Sequence, residues 1–193
     1  MSEISETVKD YFTTSEFTRD EVMDKLSEFL TVEQGGKKLY EAALKHVQHP
    51  EVSQKFHEFL QQTIRHEQIL TNIIEKLGGK PGHKSAGAKL ADQKAKALLK
   101  SMEETKGMSP DQIEINAMEN IVLAETKDHA DWELLGHSAH RSEDSKLSEL
   151  LKPAVSEVEG QEDEHLQWTK TKMGELALKA LEKNGHRKGN GNQ

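Results

Sequence analysis

The sequence predicts an all-α protein, an antiparallel four-helix bundle with one long crossover between the second and third long helices. Three observations lead there. The composition is 31% charged and only 5% aromatic, rich in Glu, Lys, Leu and Ala, which favours helix over strand. Apolar residues recur at three- and four-residue steps along four long segments, as in helices that each bury one face. The connection between the second and third segments, residues 79–108, far exceeds the roughly 2 to 8 residues of a simple up-down bundle loop.

Residues 1–18 carry few core-type positions and are expected to form an N-terminal arm or short leading helix, leaving 19–183 as the bundle. From Asp20 the first apolar line reads Met23, Leu26, Leu30, Leu39, Leu44 and Val47, until His49-Pro50 stops it. The second helix starts after Pro50, with Phe56, Phe59, Leu60, Ile64, Leu70, Ile73, Ile74 and Leu77, and ends at Gly78-Gly79. The crossover opens with the turn-rich KPGHKSAGA and continues as a shorter Lys- and Ala-rich helix around Leu90, Leu98 and Leu99. Ser109-Pro110-Asp111 reads as an N-cap with proline in the first helical position. It opens the third long helix, whose line is Ile115, Met118, Val122, Trp132 and Leu135. The fourth carries Leu147, Leu151, Val155, Val158, Leu166, Trp168, Met173 and Leu176, with Pro153 placed in its first turn. Residues 184–193, rich in Gly and Asn, are expected to be a disordered tail.

The formal net charge of -8 and the lack of a basic patch argue against nucleic acid and against an anionic membrane surface. With no cysteine there is no disulfide framework, zinc ribbon or thiolate-held iron. The opening MSEISETVKD lacks the apolar stretch of a signal peptide, and no apolar run reaches the roughly 18 residues a membrane span needs. A cytoplasmic protein is expected. Phosphate-cradling loops, nucleophile elbows and dinucleotide fingerprints are missing as well.

Polar residues interrupt every apolar line near its middle. A carboxylate on a core stripe costs several kcal/mol unless it finds a partner, so each interruption asks for one. The first helix places Glu33 among its core positions, the second Thr63 and His66, the third Glu125 with Asp128 or His129, and the fourth Glu162 and His165. Residues three apart on a helix are neighbours, so Glu162 and His165 of the run EGQEDEHLQW can reach one ion together. Carboxylate and imidazole donors suit iron, manganese or zinc. The competing expectation is a metal-free bundle in which Glu33, His66, Glu125, Glu162 and His165 form a buried hydrogen-bond network.

On these residues the sequence resembles the ferritin-like superfamily, its rubrerythrin-like and small bacterial stress-protein branches, over about residues 20–180. The resemblance implies a metal-ligand set: Glu33 on the first helix, His66 on the second, Glu125 and Asp128 of ETKD on the third, and Glu162 and His165 of EDEH on the fourth. The departure is TIRH, where Thr63 stands in place of the family's glutamate; either a bridging carboxylate is absent or Glu67 supplies it from a shifted rotation. Glu125 would be the bridge between two ions, with Glu162 and His165 on one and Glu33 and His66 on the other. The resemblance further implies a di-iron centre meeting dioxygen or peroxide in oxidase, peroxidase or ferroxidase chemistry, a stress-related role and an external electron-donor protein; a homodimer is expected. Gly36, one turn after Glu33, either opens a cavity or marks a helix distortion. Tyr40 is expected to keep its hydroxyl at the rim, and His129, His137 and His140 are a weaker second metal candidate.

Overall fold

The computed structural model describes residues 17–189, with side chains to residue 182. Its elements are α1 (Arg19–Ala43), α2 (Pro50–Lys76), α3 (Ala86–Glu103), α4 (Pro110–Arg141) and α5 (Ser145–Gly189), and no strand occurs among the described residues. The N-terminal arm up to residue 16 and residues 190–193 lie outside them. The helix of α5 runs on to Gly189, past the point where the sequence places a tail.

Local chemistry sets the boundaries. Thr18 and Glu21 form a reciprocal capping box at the start of α1, and Ser109 and Gln112 form another at α4, where Pro110 occupies the first turn. Arg19 donates to the carbonyls of Leu77 and Gly78 (3.1 and 3.2 Å), closing the end of α2, and Gly78 adopts φ 76°, a left-handed turn suited to glycine. Pro153 lies well inside α5, not in its first turn, with its ring on the exposed side of the helix.

Helices α1, α2, α5 and α4 contact one another in a closed ring, and α3 lies outside it against α1 and α4. The crossover is stitched to α1: Ser27 donates to the His83 carbonyl (2.6 Å), Ser85 donates to the Asp24 carbonyl (2.9 Å), and His83 meets the Asp24 carboxylate at 2.8 Å. Gly35 permits close contact between α1 and α3, since a Cβ there would stand 2.8 Å from the Ala95 methyl.

The core divides into two apolar clusters. One holds Leu26, Phe29 and Leu30 of α1 with Ile69, Leu70 and Ile73 of α2, Trp132 and Leu135 of α4, and Leu151, Val155 and Val158 of α5. The other holds Leu39, Tyr40 and Ala43 of α1, Phe56 and Phe59 of α2, Met118 and Ile121 of α4, and Leu176 of α5. On each long helix the chain passes from one cluster to the other, and on each the polar interruptions fall between the two. The order is the same in α1 and α5 and reversed in α2 and α4.

Candidate metal centre

The polar layer between the apolar clusters contains all six sequence-predicted ligands. Glu33, His66, Glu125, Asp128, Glu162 and His165 are each at most 4% exposed. Two sets of three donors converge within 4.8 Å of one another: Glu33, His66 and Glu162, and Glu125, Glu162 and His165. Glu162 belongs to both, so the shared carboxylate is Glu162 and not Glu125 as the sequence suggested. Asp128 stands beside these sets without entering either.

The imidazoles point their Nδ1 atoms into the layer. His66 Nδ1 lies 2.9 Å from a Glu162 oxygen and 3.7 Å from Glu33, while His165 Nδ1 lies 3.3 Å from Glu125 and 3.6 Å from Glu162. None of these approaches has hydrogen-bond geometry, and both Nδ1 atoms are left without a partner. Their other nitrogens are held: His66 Nε2 donates to the Gln161 amide oxygen (2.9 Å) and His165 Nε2 to that of Gln62 (2.7 Å). An amide oxygen only accepts, so each ring carries a proton on Nε2, and the neutral ring presents its lone pair at Nδ1. Metal-bound histidines are oriented in this way. Burial lowers the His66 pKa to about 4, against the Gln161 hydrogen bond that favours the cation, so the ring is neutral at physiological pH.

The carboxyls are in an unusual state. Burial first, and then mutual repulsion, raises Glu33, Asp128 and Glu162 well above the ordinary carboxyl range; Glu33 feels chiefly Asp128, Asp128 chiefly Glu162, and Glu162 chiefly Glu125. Burial would raise Glu125 too, but His165, Tyr40 and Glu162 together outweigh it and hold that group low. Among the described residues, the buried side-chain atoms without a hydrogen-bond partner are Glu33 Oε2, His66 Nδ1, Glu125 Oε2, Asp128 Oδ1, both Glu162 oxygens, His165 Nδ1, the Tyr40 hydroxyl and Thr169 Oγ1. Buried polar atoms are normally satisfied, and orphaned acceptors gathered in one layer are what cation-binding donors look like before the cation is counted. Each of the two donor sets could therefore hold a metal ion.

Three residues in this layer were not picked out as ligand supports by the sequence. Trp132, expected only as a core residue, donates its indole N–H to Glu33 Oε1 at 2.7 Å, and Gln62 and Gln161 orient the histidines. A signal for the glutamines exists: QTIRH (62–66) and QEDEH (161–165) share Gln and His four residues apart, and each Gln serves the histidine of the other helix. The same exchange links α1 and α4. Glu33 and Tyr40 stand seven apart, as do Glu125 and Trp132; Trp132 bonds Glu33, while Tyr40 is raised well above an ordinary phenol by burial and by the charge of Glu125. The layer is thus built twice around an approximate two-fold relation.

Other expectations fared differently. Glu67 pairs with Lys37 near the surface and enters neither donor set. The Tyr40 side chain is fully buried, so its hydroxyl is not at the rim. His129 pairs with Asp163 at 2.7 Å and joins no cluster of metal-ligand spacing among the described residues. Of EGQEDEHLQW, Glu159, Asp163, Glu164 and Gln167 are exposed, while Glu162 and His165 are buried. No helix among the described residues is long and apolar enough to cross a membrane. No family model, curated protein or solved structure matches the chain.

Proposed function

We propose that the protein is a ferritin-like bundle holding two transition-metal ions, iron foremost, at which dioxygen or peroxide is reduced. The observation that carries this reading is the sharing of Glu162 by two buried donor sets, each completed by a histidine with its lone pair turned inward. The reversal of cluster order along α2 and α4 relative to α1 and α5 is what an antiparallel bundle with one crossover would give.

Glu33 and His66 would hold one ion, Glu125 and His165 the other, and Glu162 would bridge them. Glu33, Glu125, Asp128 and Glu162 together offset the charge of two divalent cations, which would replace the protons that the raised carboxyls hold in their absence. Trp132 fixes the rotamer of Glu33, and the two glutamines fix the ring planes. When bound, a pair of iron ions supplies two electrons, one from each, which with two protons take dioxygen to hydrogen peroxide or peroxide to two waters. The chain has no cysteine-ligated redox group of its own, so the returning electrons would come from a separate donor protein.

Metal analysis of protein produced in iron-supplemented cells tests the reading. About two transition-metal ions per chain are expected, and Glu162→Ala should lose both together because both donor sets depend on that residue. Protein without transition metal, or a Glu162→Ala variant that keeps the wild-type content, would refute it.

A further inference from the structure

The two-fold relation within the polar layer breaks at one corner. Three residues after Glu125 stands Asp128, but three after Glu33 stands Gly36; one residue after Gln161 stands Glu162, but one after Gln62 stands Thr63. Asp128 and Glu162 lie close enough that, after burial, the charge of Glu162 is the chief influence raising the Asp128 carboxyl. Gly36 and Thr63 are neighbours too, since a Cβ on Gly36 would lie 3.5 Å from the Thr63 methyl. One side of the layer therefore carries a carboxyl pair where the other carries a glycine and a methyl.

That second corner is apolar as well as small. The Thr63 hydroxyl donates to the Phe59 carbonyl at 3.0 Å, turning its methyl toward Gly36. On the far side of Gly36 lies a crevice of about 320 Å³ between α1, α3 and α4, walled by Val32, Leu39, Leu98 and Ala124. Val32 and Ala124 immediately precede Glu33 and Glu125, so the crevice sits level with the buried layer. Its charged lining groups are Lys94 and Lys127, and Lys127 is already engaged by Asp131 and Glu28.

We infer that the Gly36–Thr63 corner is the port through which dioxygen, rather than peroxide, reaches the centre from this crevice. The inference rests on the di-metal reading above and selects its oxidant. Dioxygen has no hydrogen bonds to water to give up and enters apolar space without penalty. Hydrogen peroxide must abandon its hydrogen bonds to cross the same lining, which is costly. Thr63, whose two-fold counterpart is Glu162, is then the opening itself: a carboxylate there would both ligate and block.

Two measurements test the port. Xenon, uncharged and able to fill dry apolar cavities, is expected under pressure in crystals of the metal-free protein as a peak in the crevice against Gly36, and to be absent there in Gly36→Val. In stopped-flow mixing, iron(II)-loaded Gly36→Val is expected to retain its iron yet react several-fold more slowly with dioxygen, with its hydrogen peroxide rate unchanged. Ala124→Val narrows the opposite wall and gives the same pattern if Gly36→Val does not fold. Equal slowing with both oxidants, slowing with neither, or a crevice without xenon overturns the port while leaving metal binding intact. A chain that takes up xenon but no iron overturns the di-metal reading and with it the port.

Discussion

At the scale of single residues, the two glutamines decide which nitrogen of each histidine faces the centre. Removing such an outer partner typically costs about 10- to 100-fold in metal affinity. Gln161→Leu is expected to weaken binding at the Glu33–His66 position by that order while sparing the Glu125–His165 position, and Gln62→Leu to do the converse. Competition with a coloured chelator, resolved into two binding steps, would show it; equal loss from both positions would contradict the crossed arrangement.

The buried carboxyls carry a pH signature with a definite sign. In the metal-free protein Glu33 and Glu162 sit well above their ordinary 4.5 and Asp128 above its ordinary 3.8. Above those ordinary values the unfolded chain has released protons that the folded chain still holds, so these groups lower stability as pH rises. His66 acts oppositely: below 6.5 the unfolded ring gains a proton that the folded ring refuses until about 4, so its contribution is lost as pH falls through that window. Above pH 6.5 only the carboxyl effect remains of these, and metal-free protein should lose stability as pH climbs, while metal affinity rises because fewer protons compete. Urea unfolding of metal-free and zinc-loaded protein over that range separates the two trends.

The buried polar positions were legible because burying a carboxylate or imidazole on an apolar stripe is costly, and the cost shows in the pattern: Glu33, His66, Glu125, Glu162 and His165 interrupt four otherwise regular lines. Which carboxylate the two donor sets share was not legible, since that depends on helix rotation. Nor were the swapped partners. Gln62 and Gln161 are polar residues beside polar residues, and spacing within one helix cannot say that each reaches across to the other.

At the scale of elements, the helix bounds were read from His49-Pro50, the Ser109 cap and the glycine turn at Gly78, whose chemistry is local, whereas the Thr18–Glu21 capping box was not read. The placement of Pro153 was misread because an exposed proline on the outside of a long helix does not interrupt the buried line of Leu151, Val155 and Val158. The close approach of α3 to α1 depends on Gly35. Gly35→Val would place a branched side chain against Ala95 and is expected to cost roughly 1–3 kcal/mol, as overpacking does. A lowered midpoint in thermal unfolding, with metal content retained, would check it.

At the scale of the whole molecule, the polar layer separates two apolar clusters, and its buried carboxyls without hydrogen-bond partners oppose folding of the metal-free chain. Glu162→Leu should therefore raise the stability of the metal-free protein, since it removes a buried carboxyl whose oxygens have no hydrogen-bond partner. A hydrogen-bond network serving structure alone would respond in the opposite direction. Conversely, metal at 100 times its dissociation constant is expected to add about 2.7 kcal/mol to the wild-type chain and nothing to Glu162→Leu. Calorimetric melting with and without metal compares the two.

The most direct test is anomalous diffraction at the iron edge from crystals of iron-loaded protein. Two peaks are expected within the polar layer, one between Glu33 and His66 and one between Glu125 and His165, both within reach of the Glu162 carboxylate. A layer without anomalous density, or peaks only at surface sites such as His129 and Asp163, would contradict a shared di-metal centre.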